Sequence, residues 1–406
     1  MILSRFRLAM DTTAVSTLLP VMTVVLTGFL VIGLALPVLP LHVHDGLGLG
    51  AFVVGLVTGS QFAASLISRV WAGDFADRKG PKRGVITGLL AASISGLLYL
   101  LSLQFIAVPI ASVTILLLGR ALLGAAESFI ITGAVSWGLV LLTSKSAGKV
   151  IAWVGMAMFA ALAVGAPIGT ALYEIGGFVA IALATTLVPL ATVALALRMK
   201  TVPASQSAAR RPFVSVAAAV WMPGLGAAFG SIGFGAILAF SSLFFAEREW
   251  SPVWLAFTAY AVSLIAARLV FGHLPDRLGG ARVALISVLI EAAGLALIWL
   301  APGPVVAAVG AMLTGLGYSL VYPGFGVEAV RRAPPESRGL VMGIYTAFLD
   351  VALGFGTPAL GLVGAWGGLR SVFMASTLIV LCATVIAVPL IKAPVVQRVG
   401  SSKERV

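Results

Sequence analysis

Apolar residues run through this chain in blocks of about twenty, broken by short turns of charge, glycine and proline. An α-helix needs about 20 such residues to cross the hydrocarbon core of a bilayer. The hydropathy pattern places twelve blocks, at 15–40, 51–72, 84–104, 109–141, 148–173, 178–198, 214–245, 252–271, 283–301, 305–329, 339–363 and 371–392. Lipid offers no partner to open backbone, and the alternation suited to a β-barrel is absent, so the blocks predict membrane-spanning α-helices. The first block is too long for a signal peptide and no convincing small-residue cleavage site follows it, so it reads as the first span.

Composition and charge sharpen this picture. Of 406 residues, 60% are hydrophobic and 10% charged, against roughly 25% charged in a soluble domain. A net charge of +12 would suit nucleic acid, but the positions argue otherwise. With the N-terminus inside, Lys and Arg fall on Arg5, Arg7, the 78–83 loop, Lys145, Lys149, the 198–211 loop, the 277–282 loop, the 331–338 loop and the tail. Arg69 and Arg268 sit at inner helix ends, and the outward loops carry only Arg248 and Arg370. Such asymmetry sets topology. The basic balance therefore reports orientation, with both termini cytoplasmic, and not a nucleic-acid partner. The single cysteine, Cys382, excludes an intramolecular disulfide and a thiolate-rich metal site. Composition and topology suggest a bacterial inner membrane.

The chain writes one phrase twice, RVWAGDFADRKGPKR from Arg69 and RLVFGHLPDRLGGAR from Arg268. Arg69, Gly73, Asp77, Arg78, Gly80 and Arg83 recur as Arg268, Gly272, Asp276, Arg277, Gly279 and Arg282, always 199 positions on. A second echo, offset by 191, pairs Ser146, Gly148, Gly165 and Pro167 with Ser337, Gly339, Gly356 and Pro358. Two echoes predict a six-plus-six parallel repeat with a substrate path between the halves. The expected organisation is a first bundle over 1–198, a polar cytoplasmic linker over 199–213, a second bundle over 214–392 and a basic cytoplasmic tail over 393–406.

The Gly-x-x-x-Asp-Arg-x-Gly-x-x-Arg phrase after helix 2, repeated after helix 8, resembles the signature loop of the major facilitator superfamily. The resemblance covers nearly the whole chain, and in detail it is similar to bacterial permeases labelled arabinose-efflux-like. It implies an all-α membrane fold of twelve transmembrane helices in two pseudo-symmetric six-helix bundles. It also implies alternating access, with helices 1, 4, 7 and 10 lining a central cavity. Pro81 stands where the family usually has a basic residue, and Lys82 and Arg83 preserve the charge.

Physically, Gly73 and Gly272 are expected to let a helix end approach a neighbour. Asp77 and Asp276 are expected to face arginines or a helix N-terminus, and Gly80 and Gly279 to permit a turn that other residues resist. With Arg78, Arg83, Arg277 and Arg282 they form a conformational latch between the halves. The bland alternative is a solvated turn that only fixes topology.

Ionisable groups at bilayer depth are functional candidates. Here they are Arg120 and Glu127 in helix 4, Glu291 in helix 9 and Asp350 in helix 11, with Gln61 as a polar companion in helix 2. Arg120 and Glu127 lie seven residues apart, on one face and about 10 Å apart along the axis. The run GRALLGAAES resembles the family's helix 4 motif, which implies a cavity-facing, proton-coupling role for Arg120. A static ion pair is the alternative. Glu127, Asp350, Arg120 and Glu291 are the proton-coupling candidates. For Asp350 the matching first-half position is Phe159, so symmetry does not require its charge. For Glu291, on a helix peripheral in this fold, a protonated carboxyl bonded to a neighbour is the competing reading.

Gln61, Arg120, Glu127, Trp153, Tyr318, Tyr345 and Asp350 are the substrate-cavity candidates. The aromatic residues among them, with Trp137 and Tyr322, serve equally well as packing or interfacial anchors. The run GAPIG, Gly165 to Gly169, loosely resembles the family's antiporter motif, with Ala166 intervening. Gly165, Pro167, Gly169 and Pro358 are expected to pack helices closely. The trio in HVHD, His42 to Asp45, has metal-ligand residue types but reads as an unliganded exposed loop, and His273 as facing water. GLGLG and the glycines from Gly224 to Gly235 lack the strand-then-helix setting of a nucleotide loop.

The sequence therefore predicts a secondary active transporter and no enzyme. It would be a monomer in lipid without cofactor, moving a small organic solute outward in exchange for protons. Proton-driven import or facilitation of sugars or organic acids is the alternative, and a non-transporting sensor or enzyme the distant one. Arg120 permits an anion, and Glu127 with Asp350 permits a cation or zwitterion, so the solute's charge stays open.

Overall fold

The computed structural model describes residues 12–142, 147–202, 213–332 and 338–392. Arg5, Arg7, Lys145, Ser146, Ser337, most of the expected linker and the whole expected tail lie outside the described residues.

Helix α1 is Thr12–Ala35, prolonged by the short turns Leu39–Leu41 and His42–Gly46. Then come α2, Ala51–Lys79, α3, Pro81–Leu103, and α4, Pro109–Leu141. A single helical run, Ala147–Arg198, breaks at Gly176 and Gly177, where Gly177 takes φ 59°; its two parts are α5 (147–175) and α6 (178–198). The remainder are α7, Phe213–Glu247, α8, Leu255–Phe271, α9, Gly280–Leu300, α10, Pro304–Arg332, α11, Arg338–Gly367, and α12, Leu369–Lys392. Among the described residues ten helices are long and apolar enough to cross a bilayer and α8 is a shorter apolar one. Dividing the longest at its glycine break brings the total to twelve.

Pairing repeats between the halves. In the first, α1 packs on α5, α2 and α3 on α4, and α3 on α6. In the second, α7 packs on α11, α8 and α9 on α10, and α9 on α12. The two most extensive contacts between the halves, α2 with α11 and α5 with α8, also correspond under the repeat, and smaller ones set α2 and the Leu39–Leu41 turn against α7. Without a hydrophobic force between helices in lipid, close approach at small residues holds such pairs. A Cβ at Gly169 would overlap the Leu34 carbonyl, and one at Gly165 would lie 2.8 Å from Gly33 Cα, so α5 touches α1 backbone to backbone.

The phrase written twice folds in two ways. In the first copy α2 continues through Asp74, Asp77 and Arg78 to Lys79, well past the expected end of its span. In the second, α8 stops at Phe271 and a separate short helix, Leu274–Leu278, follows with Pro275 in its first turn. Proline lacks the N–H that would continue the ladder, and Ala76 stands at the matching place in the first copy. Both copies then turn at glycine, Gly80 with φ 92° and Gly279 with φ 91°, a conformation L side chains resist.

Candidate functional site

A cavity of about 300 Å³ lies between the halves. Helices α1, α4, α7 and α10 contribute to it through Phe29, Arg120, Glu127, Phe234, Tyr318 and Tyr322, and α2, α5, α8 and α11 add Gln61, Arg69, Phe159, Arg268 and Asp350. It extends toward the end of the bundle that carries the Gly80 and Gly279 turns, as Ile131, Val135, Gly155 and Thr346 in its wall show. At the opposite end α2 and α11 close on each other. A Cβ at Gly55 would overlap the Thr357 carbonyl, one at Gly59 would stand 2.9 Å from Pro358, and one at Gly361 2.6 Å from the Ala51 carbonyl. Thr357 Oγ1 donates to the Gly55 carbonyl at 3.1 Å.

The charged groups in this wall are not equally provided for. Gln61 Nε2 donates to Glu127 Oε2 at 2.7 Å. Asp350, 2% exposed, receives Arg69 Nη2 at 2.7 Å and Arg69 Nε at 3.0 Å, so one guanidinium from the first half grips a carboxylate of the second. Ser65, a further partner of Arg69 at 3.4 Å, bonds Ser128 of α4 at 2.9 Å. At the equivalent crossing Arg268 lies over the ring of Phe159, 5.4 Å from its centroid, and donates through Nη2 to the Ser319 carbonyl at 3.0 Å. Arg120 is completely buried, and its Nε, Nη1 and Nη2 have no hydrogen-bond partner among the described residues.

Sequence comparison decides the family. The profile of the Major Facilitator Superfamily matches residues 21–256 and 252–406. The chain is 42% identical over 360 residues to an uncharacterized MFS-type transporter of Salmonella typhimurium, covering 88% of this chain and 92% of the relative. It is 39% identical over 366 residues to the uncharacterized MFS-type transporter YhhS of Escherichia coli K12, covering 90% of each. The chain belongs to the major facilitator superfamily. Among solved structures, a bacterial homolog of the human lysosomal transporter Spinster in an inward-facing, unoccupied conformation is similar, with TM-score 0.73 at 16% identity over 94% of this chain and 98% of that one. The nucleoside transporter NupG gives 0.72 at 13% identity, covering 92% and 99%. At these identities the likeness is one of fold. The chain is thus a multi-pass membrane protein and a secondary transporter.

In this major facilitator transporter Gln61, Arg120, Glu127, Tyr318 and Asp350 share the cavity wall, whereas three other candidates stand apart from it. Trp153 packs against the core beside the wall residues Val154 and Gly155. Tyr345 is fully buried behind Tyr322, its ring 4.9 Å away and its hydroxyl donating to the Tyr322 carbonyl at 2.6 Å. Glu291, also fully buried, lies beside Gly230 and Gly233 of α7, and its carboxylate oxygens have no hydrogen-bond partner among the described residues. The neighbouring hydrogen bond expected for it is thus missing there.

The turns also depart from expectation. A Cβ at Gly73 meets nothing within 4 Å, and one at Gly272 meets the Arg268 carbonyl of its own helix, so neither glycine serves approach to a neighbouring helix. Among the described residues Asp77, Asp276, Arg83, Arg277 and Arg282 form no ion pair, and Arg78 pairs with Asp74 at 2.9 Å on an exposed helix face. Lys82 instead caps the end of α6, donating to the carbonyls of Leu197 and Met199. Glu328 ties α10 to the start of α9, accepting from the Ala281 N–H and pairing with Arg332. His42 is buried, stacked on Phe178 with centroids 4.0 Å apart, and not in an exposed loop. Among the described residues no group of three His, Cys, Asp or Glu side chains could hold a metal.

The residues that join the halves at the cavity, Arg69 and Arg268, are absent from the candidate site read from sequence, which took them as topology markers. The signal was present: each opens the phrase that the chain writes twice.

Proposed function

We propose that this transporter couples the passage of a small organic solute to protons, with Asp350 and Glu127 as the groups that change proton occupancy. The Arg69–Asp350 ion pair carries the reading. It crosses between the halves beside the cavity, so a proton on Asp350 removes the charge that holds Arg69 and loosens one of the two seams. A buried pair broken on one side is costly, and that cost links proton occupancy to the tilt of the bundles. Solute and proton shift the balance of states only through their different affinities for each.

Both directions expected from sequence use this cycle. A cationic solute competes with the proton for the carboxylates and is exchanged for it, which gives efflux. An anionic solute is favoured by the proton and travels with it, which suits uptake of organic acids. The setting proposed is a monomer in the bacterial inner membrane with both termini cytoplasmic, as the positions of Lys and Arg support. The same proposal includes the likeness to arabinose-efflux-like permeases.

The test uses proteoliposomes holding the full chain and an internal pH dye, challenged singly with benzenesulfonate, benzenesulfonamide, benzyltrimethylammonium, gluconate and a neutral sugar. Proton movement in step with at least one solute, reduced at least tenfold in Asp350→Asn, is the expected result. Solute movement with no accompanying proton in the wild type rejects the coupling.

A further inference from the structure

The cavity wall holds three guanidinium groups, of Arg69, Arg120 and Arg268, and two carboxylates, of Glu127 and Asp350. The carboxylates already have partners from within the protein, Gln61 on one and Arg69 on the other. That leaves the surplus on the positive side, and among the described residues neither Arg120 nor Arg268 has a carboxylate at ion-pair distance. Arg120 is 0% exposed with all three nitrogens unpartnered among the described residues. Arg268 has Nε unpartnered, and the carboxylate that internal symmetry would offer it is replaced by the ring of Phe159. A buried charge without partner costs several kcal/mol, and a guanidinium presents donors arranged to match a carboxylate, sulfonate or phosphate. Phe29, Phe62, Phe159 and Phe234 add four aromatic rings to a wall that is otherwise mostly aliphatic. The volume lies at the small end of ligand cavities, about 300–1,000 Å³.

We propose that Arg120 and Arg268, one from each half, seat the anionic group of a small organic acid whose apolar body, of about single-ring size, rests on these aromatic rings. This deepens the proton-coupled reading by naming the solute class, and rests on it only for the direction of travel. An anion gathers charge from both halves at once, and a proton on Glu127 or Asp350 removes a repulsion in the same space. Anion and proton therefore bind together and cross together.

Binding is measured on the purified full chain in detergent, where no gradient exists, by thermal shift and calorimetry. The probes are benzenesulfonate, benzoate and phenyl phosphate, with benzenesulfonamide and benzylamine as neutral and cationic matches. At least one anion should raise Tm by several degrees, and the amide and amine should not. Arg120→Gln should weaken that anion about 10- to 100-fold and Arg268→Gln about 10-fold, the range for losing a charge-assisted hydrogen bond. Phe159→Asp, which supplies Arg268 with its own carboxylate, should weaken it by a similar factor. Should Arg120→Gln fail to fold, the Arg268 and Phe159 variants decide the question, and a size-exclusion profile reports folding for each. A response to benzylamine alone, no response to any anion, or anion affinity unchanged in Arg268→Gln and Phe159→Asp overturns the seat. Asp350→Asn separates the two readings. Anion binding kept there with proton movement also kept rejects the coupling and leaves the seat standing, whereas loss of the anion response in wild type rejects the seat alone.

Discussion

At the scale of single residues, the Arg69–Asp350 pair makes the sharpest demands. Arg69→Ala leaves Asp350 buried without its cation and should lower stability in detergent by about 3 kcal/mol. That is the low end for a broken buried pair, because Arg69 keeps 24% exposure. Removing both partners together should cost less than Arg69→Ala alone, and a double-mutant cycle of thermal melts checks this coupling. Asp350→Asn should also flatten the pH dependence of flux, since the proposed proton-carrying group is then removed. Flux profiles from pH 5 to 8 would show it, and an unchanged profile assigns the titration elsewhere. Sequence reading reached Asp350, Glu127 and Arg120 because charge at bilayer depth is rare enough to notice, and Gln61 as their polar companion. It passed over Arg69 and Arg268 because arginine at a helix end is ordinary, and only the partner across the cavity makes these two unusual. Nor could it tell that Tyr345 stands behind Tyr322. Both are tyrosines on helices beside the cavity, and side-chain direction is settled by packing.

At the scale of elements, the contact of α2 with α11 at the end opposite the Gly80 and Gly279 turns is a surface of backbone against backbone. Gly59→Leu should prevent that end from closing. In a Cys382→Ser background, a cysteine at Phe62 in the cavity wall should then react with an impermeant maleimide from the side that the α2–α11 contact now seals. Labelling equal to that of the Gly59 parent would mean that the contact does not shut the cavity. The helices themselves were legible from hydropathy, since a twenty-residue apolar block has one solution in lipid. Their ends were harder. Asp74, Asp77 and Arg78 look like loop residues yet extend α2, because charged side chains at a helix end reach water without interrupting backbone hydrogen bonds. The same phrase breaks in its second copy, where Pro275 replaces Ala76. One proline decides between a continuous helix and two.

At the scale of the whole molecule, the repeat predicts which surfaces must part. Val135 and Thr346 lie on opposite halves in the wall of the cavity, toward the turn-bearing end. Cysteines placed at both, joined by a spacer that a reducing agent cleaves, should halt flux, and reduction should restore it. Continued flux through the linked protein would argue against tilting halves. The two seams between those halves use corresponding helices but not the same chemistry. Where one has an arginine on aspartate, the other has an arginine on phenylalanine. Two copies of a single half, assembled as a dimer, would be obliged to carry the same contact on both flanks. Joining the copies in one polypeptide lifts that obligation, so the proposed proton on Asp350 would unfasten one flank and leave the other as it was.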